Sequence, residues 1–429
     1  MNKKIFVMSW FYPPINSSES FVTYKLLSHS KFDYDVWTRE NINSEIWDRR
    51  IDESKFDSEN IEVFRMSCQN IDDWLSAAYK YFIEHADEYI AVMTRSMPAE
   101  AHEFGKKIKK KFPNIKWIAS YGDPLIGTPY LGGDQGKNPY LLKKYIEKEH
   151  PSKLKSVKLA ISPMRNAQKM IWKKERKAIG EDVDYSKIND YTIQLADLVL
   201  INNNYQKKHI FSGKYEKFID KCLIVPHSFD MALYAGIKRG RNKKIVFSYT
   251  GHLDTIRSAT IFLKALNRML KKDPELYKKA EINFYGHLSD DDKLYIINNG
   301  LYELVKIKES VSYKESLKIM VESDVLLLFD ANFNGKMSEN IYFPAKLADY
   351  IGSGTPIMAI TQIEGVSADI VRDMDGIVCT HSEDEIMMYL SKIIYKKYKL
   401  ERADKNGVDR FDANYVARGF DLYLEGILK

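Results

Sequence analysis

Little in this chain points to a covalent framework, a membrane span or a low-complexity tail. Cysteine occurs three times in 429 residues, as Cys68, Cys222 and Cys379. An odd number at wide spacing argues against a disulfide scaffold, and no two stand at the separation of zinc ligands. A reducing compartment, the cytoplasm, is the expected setting. Long apolar runs are missing too. Met1-Asn2-Lys3-Lys4 leads directly into Ile5-Phe6-Val7-Met8, a stretch too short for a signal peptide or a membrane span. No internal repeat stands out. What is present, 45% hydrophobic and 29% charged residues, is the composition of a soluble globular protein, long enough for two domains.

Net charge is modest, +6, but unevenly placed: residues 137–177 hold 13 Lys/Arg against 3 Asp/Glu, which leaves the rest of the chain near −4. Such a concentration suggests an anionic partner. Met164, Ala167, Ile171 and Ala178 mark one apolar helical side, with Trp172 near it and Arg165, Lys169, Lys173, Arg176 and Lys177 around it. That pattern suits peripheral contact with an anionic membrane. A solvated helix packed on the domain fits equally, and Lys174 interrupts the apolar side. No interleaved aromatic platform accompanies the charge, so nucleic acid is not expected as a partner.

Elsewhere the hydrophobic pattern alternates short buried strands with helices, which predicts an α/β protein with parallel sheets. Lys4 to Ser9 reads as the first strand and runs into Trp10-Phe11-Tyr12-Pro13-Pro14-Ile15-Asn16-Ser17-Ser18. The prolines keep that loop extended, and its Asn/Ser cluster can cap a helix over 20–30. Strands near 34–37, 61–65 and 89–93 follow, the last ending at Thr94-Arg95-Ser96. Lys116 to Ser120 delivers Asp123 into a Gly/Pro turn, where it can serve as a base or simply start the turn. A second rhythm begins at Ile245 to Thr250. It leads into Gly251-His252, then Arg257 and a helix, a combination that suits a diphosphate. Strands ending at Gly286 and before Ser310-Val311 come next. Asp324 to Asp330 then leads to Phe343-Pro344-Ala345-Lys346-Leu347-Ala348-Asp349-Tyr350-Ile351-Gly352. In that stretch Leu347, Tyr350 and Ile351 mark a buried helical face, and Lys346 and Asp349 lie beside it on an exposed edge. The two carboxylate runs, Asp290-Asp291-Asp292 and Asp373-Met374-Asp375, read as a helix start and a turn, and no metal is assigned.

In their order these segments resemble retaining glycosyltransferases of family 4, which have the GT-B fold. Phe343 to Pro356 is similar to that family's F-P-x-K-x-x-E-Y-x-x-x-G-x-P segment. Asp349 stands where the family places a glutamate on the donor ribose. The partner acid falls on Ile341, with Glu339 close by to substitute. The first loop resembles F-x-P-P-x-x-G-G, with Asn16, Ser17 and Ser18 at and beside the glycine positions. Arg95-Ser96 and Gly122-Asp123-Pro124 resemble segments that contact the acceptor and the reacting centre. Residues 251–258 resemble G-R-x-x-x-x-K-G, with His252 and Arg257 in the places of the two diphosphate-binding cations. Gly286, Ser310 and Val311 fall at turns around the nucleobase, and His227 falls near the hinge.

The resemblance implies two Rossmann-like domains facing a central cleft. Residues 1–235 would form the acceptor domain, with a basic helical insertion at about 128–190. Residues 241–410 would form the nucleotide-sugar domain, and 411–429 a helix crossing back. The implied reaction is hexosyl transfer from a nucleotide sugar to a hydroxyl of a carbohydrate or lipid-linked saccharide. It would proceed with retention, without metal or other cofactor, in bacterial surface polysaccharide or glycolipid assembly at the inner face of the cell membrane. Asp123 and Arg257 would be catalytic. Gly251, His252, Gly286, Ser310, Val311, Glu339, Lys346 and Asp349 would hold the donor, and Asn16, Ser17, Ser18, Arg95 and Ser96 would line the acceptor or phosphate loop. A non-catalytic GT-B relative that binds nucleotide or carbohydrate, and a GT-B nucleotide-sugar epimerase, are the alternatives.

Overall fold

The computed structural model describes residues 4–40, 56–68, 70–127, 183–253, 257–333, 335–395 and 408–428. The basic segment 137–177, and with it the membrane expectation, lies outside the described residues.

Among the described residues, the first sheet consists of β1 (Lys4–Met8), β2 (Tyr34–Arg39), β3 (Ile61–Met66), β4 (Tyr89–Arg95), β5 (Lys116–Ser120), β6 (Leu198–Ile201) and β7 (Cys222–Ile224). Its order is β3-β2-β1-β4-β5-β6-β7, with every pairing parallel. The second sheet consists of β8 (Ile245–Thr250), β9 (Ala280–Tyr285), β10 (Val305–Lys308), β11 (Val325–Phe329), β12 (Ile357–Ile360) and β13 (Ile377–Cys379). Its order, β10-β9-β8-β11-β12-β13, repeats the same winding. Helices cover both faces, which is why the central strands read as unbroken apolar runs. Leu326, Leu327 and Leu328, for example, are all buried. In each sheet the winding reverses beside the first strand, between β1 and β4 and between β8 and β11. The crevice beyond the strand ends at such a reversal is where open α/β sheets bind ligands.

The helices of the first half are α1 (Ser18–Ser28), α2 (Ile71–Glu84), α3 (Ala101–Lys111), α4 (Tyr185–Leu195) and α5 (Asn204–Ile210). Those of the second half are α6 (Thr260–Lys272), α7 (Asp290–Asn298), α8 (Tyr313–Glu322), α9 (Ala345–Ser353), α10 (Val366–Asp373) and α11 (Glu383–Ile394), followed by α12 (Ala413–Leu428). α9 stops at Gly354, whose φ of 64° is the left-handed cap that only a residue without Cβ adopts freely. Leu347, Tyr350 and Ile351 are its buried face, as their spacing predicts. The first carboxylate run does start a helix: Ser289 caps α7 by accepting from the Asp292 amide at 3.2 Å. Asp292 is itself buried and accepts from the Ala259 amide and the Thr260 hydroxyl at the start of α6. Asp375, in the second run, has φ 54°, the geometry of a turn.

α12 returns to the first sheet. Phe420 and Leu424 pack in the same core as Ile5, Val7 and Leu26, and Asp421 accepts from the Ser30 hydroxyl at 2.6 Å and the Lys31 amide at 2.9 Å. The two halves also meet beneath the cleft, where Phe21 of α1 stacks on Tyr313 of α8 with ring centres 4.1 Å apart.

Candidate functional site

The second-sheet side of the crevice starts with two glycine turns at the ends of β8 and β9. Gly251 has φ 129° and Gly286 φ 119°, conformations that an L side chain rarely adopts. A Cβ on Gly286 would lie 2.4 Å from the Gly251 carbonyl oxygen, and one on Gly251 would lie 2.6 Å from Lys346 Nζ. Gly286 therefore requires glycine for space as well as for φ, whereas at Gly251 the φ is the constraint and the near atom is the end of a flexible lysine side chain. The turns carry His252 and His287, which are exposed and stacked with ring centres 4.3 Å apart.

Lys346, from the first turn of α9, donates to the Tyr249 hydroxyl at 2.5 Å and to the Thr250 carbonyl at 2.9 Å, and its ammonium lies 3.8 Å from the Tyr249 ring centre. Burial holds its pKa well below the ordinary lysine value, Arg257 lowers it further, and Asp330 opposes both. Asp330 follows β11 and is buried, and its carboxylate accepts from the Thr361 hydroxyl at 2.8 Å and from the Asn340 amide at 2.9 Å. Burial raises its pKa, against the Thr361 hydrogen bond and the charge of Arg257.

Across the crevice, Asp123 stands beyond β5, half-buried. Burial pushes its carboxyl up to about 7, Glu19 adds to the rise, and Arg257 opposes it. Glu19, in the first turn of α1, is held by Arg95 Nη2 at 2.7 Å, while Arg95 Nη1 donates to the Ser120 hydroxyl at 3.1 Å. The Gly122 amide donates to Ser96 Oγ at 3.0 Å, which fixes the turn carrying Asp123. Asn202 and Gln206 bind the Gly122 carbonyl from the other side, at 2.8 and 3.1 Å. His227 is buried behind this group, and its burial lowers it to about 4, so the ring is neutral at physiological pH. Arg257 is thus the charge common to both sides: Asp123 of the first half feels it, as do Asp330 and Lys346 of the second.

Several expectations change. Asp349 is not on an exposed edge. It is buried, and one carboxylate oxygen accepts both Lys25 Nζ and the Tyr313 hydroxyl at 2.8 Å. Its backbone carbonyl accepts from the Tyr234 hydroxyl at 2.8 Å. The spacing of α9 showed which residues flank its buried face, but not that α1 covers that flank with a lysine. Arg95 is spent on Glu19 and Ser120, which makes it a positioning residue. Ser17 takes the N-cap position of α1, yet its hydroxyl makes no capping bond and is buried without a partner. Asn16 is half-buried and Ser18 exposed. Ile341 is buried and apolar. Glu339 is half-buried near Tyr205, whose hydroxyl donates to Asp369 at 2.5 Å and whose pKa is raised by burial and Asp369 first, with Glu339 adding to the rise. Ser310 is exposed and Val311 half-buried at the end of β10.

Glu19, Lys25 and Asp330 are site-forming residues that the sequence reading passed over. Asp330 had a usable signal, an acid directly after a fully buried strand. Glu19 and Lys25 had none, since each acts on a partner far away in sequence. Among the described residues no group of three or more His, Cys, Asp or Glu is arranged to hold a metal ion, and no helix is long and apolar enough to cross a membrane.

No protein-family model and no curated protein matches this sequence. Solved structures do match it in fold over nearly its whole length. HepE of Anabaena, in complex with UDP and glucose, is 13% identical, with 99% of this chain and 100% of that one covered at a TM-score of 0.60. Sucrose-phosphate synthase of Thermosynechococcus elongatus is 11% identical, with 99% of each chain covered and a TM-score of 0.63. The lipopolysaccharide outer core galactosyltransferase WaaB is 13% identical, with 99% of each chain covered and a TM-score of 0.57. At such identities the likeness is one of fold, and the fold of this chain is GT-B.

Proposed function

We propose that the protein is a glycosyltransferase that moves a sugar from a nucleotide diphosphate-sugar to an acceptor hydroxyl. The observation that carries this reading is Arg257, whose charge reaches Lys346 and Asp330 on the donor side and Asp123 on the other. A cation there meets the negative charge that grows on the departing diphosphate. The glycine turns at 251 and 286 let backbone approach the phosphates, and a diphosphate there favours the charged form of Lys346, which burial and Arg257 otherwise disfavour. Asp123 faces the acceptor and, near its pKa at neutral pH, accepts the proton of the attacking hydroxyl. The two sheets closing on the pair exclude water, which limits hydrolysis.

The finer reading is that the donor is a UDP-sugar, that the anomeric configuration is retained, and that the diphosphate charge is met by side chains rather than by metal. HepE, which shares the fold, is known in complex with UDP-glucose. The product would belong to a surface polysaccharide or glycolipid, the setting of WaaB, with the reaction at the cytoplasmic face of the membrane. A second reading, nucleotide binding without turnover, draws on Asp349, whose carboxylate is engaged by Lys25 and Tyr313.

The test is incubation of the pure protein with UDP-sugars and measurement of UDP release, with Arg257→Ala beside the wild type. Slow release by the wild type, reduced by about a hundred- to a thousandfold in the variant, is expected from the loss of one leaving-group contact. Binding of UDP with no release, with or without simple sugar acceptors, would favour the second reading.

A further inference from the structure

One buried cation near the cleft takes no part in this scheme. Arg39 is the last residue of β2, the strand next to β1 on the outer half of the first sheet. It is 4% exposed. Its guanidinium carbon lies 5.2 Å from the ring centre of Trp10 and 5.6 Å from that of Phe11, both in the loop after β1. Trp74, in the first turn of α2, meets Trp10 edge-on with ring centres 5.2 Å apart. Against this aromatic wall, Nε and Nη2 of Arg39 are both buried and neither has a hydrogen-bond partner. Those two nitrogens share one edge of the guanidinium, and their N–H bonds run parallel, at the spacing of two oxygens on a carboxylate or phosphate. The indole N–H of Trp74 is likewise buried without an acceptor.

A buried cation is costly unless an anion meets it. Among the described residues no carboxylate forms an ion pair with Arg39, and its burial lowers the pKa of the guanidinium, with Cys68 the one group opposing. The place is informative as well. β1 and β2 end at the same edge of the sheet as β4 and β5, which lead to Arg95 and Asp123, so Arg39 lies on that edge of the first sheet, on the far side of β1 from them. A paired donor walled by aromatic rings that are themselves buried, Trp10 at 8% and Phe11 at 3% exposed, suits the compact anionic group of a ligand rather than a flat sugar face.

We propose that Arg39, set against Trp10 and Phe11, is an oxyanion-binding subsite of the acceptor domain, and that the acceptor is a saccharide carrying a phosphate or a carboxylate. The word acceptor rests on the glycosyl-transfer reading. Anion binding at Arg39 does not.

The test is calorimetric titration of the full chain with glucose 6-phosphate, glucuronate, inorganic phosphate and glucose, using the wild type, Arg39→Met and Arg39→Lys. The wild type is expected to bind at least one of the two anionic sugars, and glucose much more weakly. Tighter binding of glucose 6-phosphate assigns a phosphate, and tighter binding of glucuronate a carboxylate. Arg39→Met should weaken that affinity by about ten- to a hundredfold, the range for a hydrogen bond to a charged group. Arg39→Lys should restore little of it, because an ammonium cannot present two parallel donors. Arg39→Met without ligand should melt no lower than the wild type, since it removes an unpaired buried charge and keeps the apolar stem. Equal binding by wild type and Arg39→Met, no binding of either anionic sugar, or a lower melting temperature for Arg39→Met would overturn the subsite. UDP-glucose titrated into the same proteins separates the two readings. If it fails to bind while an anionic sugar binds through Arg39, the reading of UDP-glucose as donor falls and the subsite stands.

Discussion

The two edges that face the cleft are built from different material. On the second sheet the edge is largely backbone with one permanent charge: the turns at Gly251 and Gly286, both at positive φ, the guanidinium of Arg257, and Lys346, whose burial disfavours its charged form. On the first sheet it is made of ionisable and aromatic side chains held by one another: Asp123 over Glu19 and Arg95, neutral His227 behind them, and Arg39 against Trp10 and Phe11. A diphosphate is recognised by amides and charge, and these depend little on which side chains surround them. An acceptor is recognised by shape and by individual groups. Under the proposed function, the donor edge is constrained by backbone geometry and the acceptor edge by chemistry.

The strongest way to break this contrast is at the seam between the edges. Lys25 and Asp349 are both buried and paired across the two halves at 2.8 Å. Lys25→Met leaves an uncompensated buried carboxylate and should cost about 3–5 kcal/mol of stability in a denaturant titration. Adding Asp349→Leu to the same protein should recover much of that loss. If Lys25→Met alone costs under about 1 kcal/mol, the pair does not join the halves.

Next in size is a change at the donor edge. Gly286→Ala places a methyl group 2.4 Å from a backbone carbonyl at a φ of 119°, and neither conflict is relieved by a rotamer change. A loss of about 2–4 kcal/mol and of UDP binding is expected. A fully stable Gly286→Ala that still binds UDP would show that the donor edge is not limited by backbone geometry.

The smallest effect expected is at the acceptor edge, and it depends on pH. Asp123 is raised from 3.8 to about 7, so between those values the folded protein keeps a proton that the unfolded chain releases. Stability from this group therefore falls as pH rises through that window, and the deficit is complete above about 7. Asp123→Asn removes it. The variant should melt a few degrees above the wild type at pH 8, and the difference should shrink towards zero near pH 4. A constant difference across pH would assign the change to packing instead.

Much of the framework was legible because it is periodic or punctuated. Ile245 to Thr250 is the strand that was read, α9 ends at the glycines that predicted its end, and Ser289 caps the acidic helix start. α2 carries no comparable cue in the reading and emerged only with the fold. Placement along the crevice was legible where a position is fixed by the strand it follows: Asp123, Gly251 and Gly286. It was not legible where function depends on a residue remote in sequence. Asp349 keeps the helix position that was expected of it but is neutralised by Lys25, 324 positions away. Arg95 keeps its place at the end of β4 but is turned to Glu19. Pattern reports which face of an element is apolar, and it does not report what covers the rest.

The central claim is that Arg257 serves both edges at once, and UDP-glucose binding tests it most directly. At pH 7, calorimetry in two buffers of different ionisation enthalpy counts the protons that accompany binding. UDP-glucose has no group titrating near that pH. When its diphosphate neutralises Arg257, Asp123 loses the one opposing charge that lowers its pKa and should take up part of a proton. The prediction is proton uptake by the wild type that is smaller in Asp123→Asn while UDP-glucose still binds, any remainder coming from Lys346. Binding with no uptake, or with the same uptake in Asp123→Asn, would contradict it.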